Sequence, residues 1–192
     1  VGAERHRLFG GNCVREQVIE HYPELFCVGP EMYARQIEIE PELLRAQREL
    51  VIVDAATPDY QQLLAGLTGS AVTKRDVVLL DPRTDGVLTI SQILSQRSDL
   101  DAVHILSHGQ SGAVHLGSTL LTSQTLPSYA DSIRAWSAAL NGGADILIYG
   151  CGVAADADGQ SLVHEIHALT GADVAASADA TGSAGLGGNW AL

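Results

Sequence analysis

The 192-residue chain is poor in cysteine and in positive charge, and it has no long apolar run. Its three cysteines, Cys13, Cys27 and Cys151, are too few and too widely spaced for a disulfide framework or a zinc ribbon. At most Cys13 and Cys27 pair. Eleven Lys and Arg stand against 23 Asp and Glu, a formal net charge of −12. That balance repels a phosphate backbone or an anionic membrane surface, so nucleic acid is not an expected partner. Basic substrates and calcium-rich surroundings are compatible with it, although no ligand pattern indicates a calcium site. No apolar stretch reaches the roughly 18 residues a spanning helix needs, so membrane insertion is not expected. No basic, then apolar, opening reads as a secretory signal.

What is present suits a folded domain. Hydrophobic residues make up 46% of the chain and the mean hydropathy is +0.12, far from the composition of disordered segments. Residues 1–49 are charge-dense and read as an appended linker, pro-segment or helical cap, with helical pieces over 12–21 and 41–49. Arg35, Arg45 and Arg48 there are candidate self-cleavage sites. From residue 50 onward, short β-branched runs alternate with amphipathic stretches, the pattern of an α/β domain with a mainly parallel sheet. Strands are predicted over 50–53, 77–80, 102–106, 146–149 and 173–176, with the fourth buried mid-sheet. Helices are predicted over 58–67, from about 90 behind the cap candidate Thr89, over 126–140, and over 159–169. A small hairpin over 113–121 and a glycine-rich, mobile loop over 177–188 complete the reading, with Trp190 docking the end. The expected fold is a three-layer sandwich with about five strands and helices on both faces.

Two predicted strands end in reactive residues. Leu106-Ser107-His108-Gly109 closes the third and Tyr149-Gly150-Cys151-Gly152 closes the fourth. In open α/β sheets the carboxyl edge is where ligands and catalytic groups collect. A thiol attacks a carbonyl as thiolate, and a nearby imidazole favours that form or protonates the departing amine. Glycines on both sides let a substrate backbone approach, and the N–H groups of Gly109 and Cys151 are candidates to face an oxyanion. Other signals are weaker. His104 shares a strand face with His108 and reads as a core histidine; His164 and His167, three apart on a helix, lack a third metal ligand. Trp136 reads as core. A serine nucleophile at Ser107 or Ser111 lacks the Gly-x-Ser-x-Gly turn. No cofactor motif is found.

The segments Val103-His104-Ile105-Leu106-Ser107-His108-Gly109 and Ile146-Leu147-Ile148-Tyr149-Gly150-Cys151 resemble the caspase-like (clan CD) superfamily of cysteine peptidases, which includes caspases, gingipains, clostripain-like enzymes and separases. Residues 50–192 as a whole look like an uncharacterised domain of large, repeat-rich, adhesin-type bacterial surface proteins. The resemblance rests further on Val51-Ile52-Val53-Asp54, Asp59-Tyr60-Gln61-Gln62-Leu63 and Gly187-Gly188-Asn189-Trp190. It implies an endopeptidase dyad: His108 protonates the leaving group, Cys151 is the nucleophile, and Gly109 N–H sits in the oxyanion hole. It also implies a polypeptide substrate, which includes the chain itself if the domain self-processes, and a secreted or cell-surface setting. The pattern departs from basic-specific relatives at Tyr149, where they carry an acid two before the nucleophile, and from caspases at Asp54, where they carry arginine. Asp54, Asp179 and Tyr149 are the candidate substrate-binding residues, with the two acids expected to favour Arg or Lys. The competing reading is a non-catalytic interaction module on the same fold.

Overall fold

The structure is a computed structural model that describes residues 47–57, 60, 73–182, 185 and 187–192. By its contacts the chain divides into two units, residues 1–44 and 45–192. The first lies outside the described residues, as do the expected helix over 12–21, most of that over 41–49 and nearly all of that over 58–67; residues 47–49, expected to end the second helix, instead begin a strand.

Within the second unit, β1 (Gln47–Asp54), β2 (Thr73–Leu80), β3 (Leu100–Leu106), β7 (Leu140–Tyr149) and β8 (Asp173–Ala176) form one sheet in the order β2-β1-β3-β7-β8. Every neighbouring pair is parallel. A second, antiparallel sheet is made by β4 (Gly109–Gln110), β5 (Ala113–Leu116) and β6 (Thr119–Thr122). The expected hairpin is therefore the last two strands of a three-stranded sheet that begins directly after His108. The α/β class, the parallel five-strand sheet and the flanking helices agree with the sequence reading.

Alternation along each strand divides the main sheet into two faces. Leu50, Ile52, Val103, Ile105, Ile146 and Ile148 lie in one buried cluster with residues of α1 (Gly86–Leu94), α2 (Ala130–Arg134) and α3 (Ala157–Thr170). Val51, Val53 and Leu106 form a second cluster on the opposite face, against which Tyr60 and Tyr149 pack. Trp136 belongs to the larger core, and its buried indole N–H donates to Ser91 Oγ at 2.7 Å, which removes the cost of burying an unpaired donor.

Three local expectations are corrected. Helix α1 starts a turn earlier than Thr89: Asp85 is the cap, accepting from Leu88 N at 3.0 Å and from Tyr129 Oη at 2.8 Å. Burial pushes the Asp85 carboxyl up, but these hydrogen bonds outweigh it and hold its pKa below the ordinary carboxylate value. The helix expected over 126–140 is a 3-10 turn (Leu126–Tyr129), α2 and a second 3-10 turn (Ala135–Ala139). Leu126, Ile133, Trp136 and Ala139 are all buried, so the mixed winding keeps one inward face while releasing Leu140 to start β7. Lastly, β7 lies fourth of five, next to the edge strand β8, and its Leu147 and Tyr149 are only half-buried. Strand β3 is the central one.

Candidate active site

The strand order reverses between β1 and β3, the usual place for a ligand crevice in such sheets. Here that crevice is filled. Asp54, at the end of β1, is 2% exposed. Its Oδ1 accepts from Ala56 N at 2.9 Å, and its Oδ2 accepts from Gly117 N at 2.8 Å and from Ser107 Oγ at 3.4 Å. Gly117, in the β5–β6 turn, has φ +58°, and a Cβ there would lie 2.3 Å from Thr84 O. The turn therefore docks on the crevice because its tip has no side chain. Asp54 is a buried anchor for that turn and does not dress a substrate pocket, which corrects the expectation.

The next strand pair toward β8 carries the predicted dyad residues. Leu106 pairs with Tyr149, and Ser107 N donates to Tyr149 O at 3.1 Å, so the β3–β7 register runs to the rim. One residue on, two glycines meet. A Cβ on Gly109 would lie 2.8 Å from Gly150 C and 2.5 Å from Val153 Cγ2; a Cβ on Gly150 would lie 3.2 Å from Gly109 Cα and 3.3 Å from Gly109 N. A Cβ on Gly109 would thus meet atoms closer than real Cβ contacts come, and one on Gly150 would be tightly crowded. His108 precedes one glycine and Cys151 follows the other, so the two come to the same rim on adjacent strands, and both are exposed. The His108 carbonyl is pinned by His115 N at 2.9 Å.

The Cys151 turn is held by the segment that follows β8. Gly152, with φ +64°, donates its N–H to Asp179 O at 2.7 Å, and Ala154 N donates to Ser177 O at 3.0 Å. The Cys151 thiol donates to Thr181 O at 3.8 Å. Behind the turn, Asp156 caps α3 by accepting from Gly159 N at 2.9 Å and also accepts from Ser111 Oγ. These bonds hold its carboxyl below the ordinary range, the Ser111 bond being the larger cause. Ser107 donates to His115 O and Ser111 to Asp156. Both serines are thus tied into turns rather than set against a base.

The expected mobile loop over 177–188 is pinned in its described part. Thr181 bridges Asn189, Gly182 N donates to Asn189 O at 2.9 Å, and Asn189 N donates to Ala180 O at 2.9 Å. Asp179 stands exposed beside the Cys151 turn, with its Oδ2 accepting from Asn189 Nδ2 at 2.8 Å. Trp190 does dock: its ring meets Tyr149 edge-on at 5.9 Å, and Tyr149 in turn stacks on His104 at 6.0 Å. Burial, then the Glu49 charge, raise the Tyr149 pKa. Burial holds His104 below 6.5 against the nearby Glu49 carboxylate, 3.6 Å from Nε2. His104 is thus a sheet residue as expected, but half-buried instead of in the core, and its buried Nε2 makes no hydrogen bond among the described residues. His164 and His167 have rings 6.3 Å apart, and His167 Nδ1 contacts Ala172 O at 2.6 Å. Among the described residues no group of three potential ligands is placed to hold a metal ion, and no helix is long and apolar enough to cross a membrane.

Sequence reasoning placed His108, Gly109, Tyr149, Cys151 and Asp179 at this rim. It missed Thr181, which takes the thiol hydrogen through its main-chain carbonyl and so carries no side-chain signal. It also missed that Trp190 docks on Tyr149.

Residues 50–192 match a domain of unknown function, DUF4347. The match spans most of the chain, which therefore belongs to that family. No curated protein matches the sequence.

Proposed function

We propose that this member of the DUF4347 family is a caspase-like cysteine endopeptidase in which Cys151 is the nucleophile and His108 the proton carrier. The observation that carries the reading is the contact between Gly109 and Gly150, each of which is the chain neighbour of one exposed dyad candidate, His108 or Cys151, at one carboxyl rim. In this reading His108 takes the proton of Cys151, and the thiolate sulfur bonds to the carbonyl carbon of the scissile peptide. The oxyanion is received by the N–H groups of Gly109 and Cys151. As the C–N bond breaks, His108 returns the proton to the leaving amine. Water, deprotonated by His108, then cleaves the thioester and regenerates the thiol. The absence of side chains at Gly109 and Gly150 is taken up by the close meeting of the two rim segments and Val153, so a substrate backbone lies over the seam and not within it. A surface setting and self-processing of a larger parent polypeptide belong to the same proposal.

The test is hydrolysis of a peptide library, and of the 192-residue chain itself, by wild type and by the Cys151→Ala and His108→Ala variants. Cleavage by wild type that both variants lose supports the dyad. Cleavage that survives Cys151→Ala overturns it. One observation favours a second reading, an idle interaction module: the thiol donates to the Thr181 carbonyl and not to an imidazole. A wild-type chain that cleaves nothing in the library or in itself supports that module instead.

A further inference from the structure

Resting on the peptidase reading, we propose that Tyr149 and Trp190 form an aromatic shelf that selects peptides with a large apolar side chain just before the scissile bond. The shelf is tied to the thiol along two routes. Tyr149 is the last residue of β7 and lies two residues before Cys151, which stands in the turn that follows. Separately, the Cys151 thiol donates to Thr181 O, Thr181 bridges Asn189, and Trp190 follows Asn189 in the chain. The two routes converge where the indole meets the Tyr149 ring at 5.9 Å and an interplanar angle of 60°. Tyr149 is backed by the stacked His104 ring. Trp190 remains 46% exposed, a large apolar surface on the segment bridged to the thiol's acceptor.

Of the two acids at this rim, Asp54 does not provide the alternative. A basic substrate side chain needs a carboxylate with free lone pairs to offset its desolvation. Asp54 is buried, with both oxygens taken by main-chain N–H groups. Asp179 is exposed, and its Oδ2 is engaged by Asn189. The rim thus presents the exposed indole together with one exposed carboxylate, Asp179, and the choice between an apolar and a basic side chain is what a peptide comparison decides.

The experiment compares peptides that differ only in the residue before the scissile bond, Phe, Leu, Ala, Arg or Asp, using the full chain. Phe and Leu are expected to exceed Arg and Asp by roughly tenfold or more in kcat/KM. Trp190→Ala is expected to lower kcat/KM for the Phe peptide on the order of tenfold, mainly through KM, and to leave the Ala peptide within about twofold. Trp190→Phe is expected to restore most of the loss. In the Cys151→Ala variant, the Phe peptide is expected to shift the indole emission to the blue, a readout independent of turnover. Preference for Arg, or an equal loss on all five peptides with Trp190→Ala, overturns the shelf while leaving the peptidase intact. Failure of wild type to cleave any peptide, with no emission shift, overturns both.

Discussion

Replacing Gly109 by alanine probes the seam on which the site depends. The added Cβ would sit 2.8 Å from Gly150 C and 2.5 Å from Val153 Cγ2. Val153 is fully buried in the main core, so its side chain has little room to swing away, and Gly150 C is backbone. Ordinary contact begins at 3.4 Å, so β3 and β7 must part at the rim by the difference between 2.8 and 3.4 Å. Overpacking of this kind costs about 1–3 kcal/mol, which lowers Tm by roughly 2–4 °C per kcal/mol for a domain near this size. The displaced groups are those next to His108 and Cys151, and misplacement of reacting groups by about 1 Å costs up to roughly 10²-fold in rate. Gly142→Ala is the control, since a Cβ there meets nothing within 4 Å and its φ is not positive. Urea melts should show Gly109→Ala destabilised by that amount with unchanged m-value, and Gly142→Ala within about 0.5 kcal/mol of wild type. Turnover should fall well beyond the fraction unfolded. Gly109→Ala as stable as Gly142→Ala, with wild-type turnover, refutes the close seam.

Two further outcomes follow from buried groups. Asp54→Ala leaves the N–H groups of Ala56 and Gly117 without their acceptor, and a loss of about 2–4 kcal/mol is expected in chemical denaturation; a loss below about 1 kcal/mol contradicts the anchoring role. His104 has a pKa lowered from 6.5 in the folded chain, chiefly by burial. As pH falls below about 6.5 the unfolded chain therefore takes up the proton first, and stability drops until folded His104 is also protonated. His104→Phe keeps a ring against Tyr149 and should flatten the decline of Tm between pH 7.5 and 5, whereas a slope identical to wild type removes His104 as its source.

The β-branched runs announced most of the sheet because strand propensity and burial agree there. Residues 173–176 were read as a strand and form β8 with those bounds. Short strands ending in His-Gly and Gly-Cys, joined by helices, leave a parallel sheet few alternatives, so the common rim of His108 and Cys151 was legible. Asp85-Gly86 misled because the same dipeptide suits a turn and a capped helix start; the bond from Leu88 N and the tie to Tyr129 decide between them, and that tie is tertiary. Leu126, Tyr129, Ile133 and Trp136 gave the right inward face and the wrong winding, since a mixture of 3-10 and α turns repeats at the same spacings. The burial of Asp54 was not legible, because its partner Gly117 lies 63 residues away in an irregular turn. Nor was the Thr181 contact, 30 residues from the cysteine and made through main chain.

The rate of Cys151 carboxamidomethylation at pH 7, followed by peptide mass mapping in wild type and in His108→Ala, most directly tests whether imidazole and thiol act together. An imidazole that serves the thiol raises its thiolate fraction, so His108→Ala should slow Cys151 on the order of tenfold while Cys13 and Cys27 react as before. Equal Cys151 rates in the two proteins would contradict the shared site.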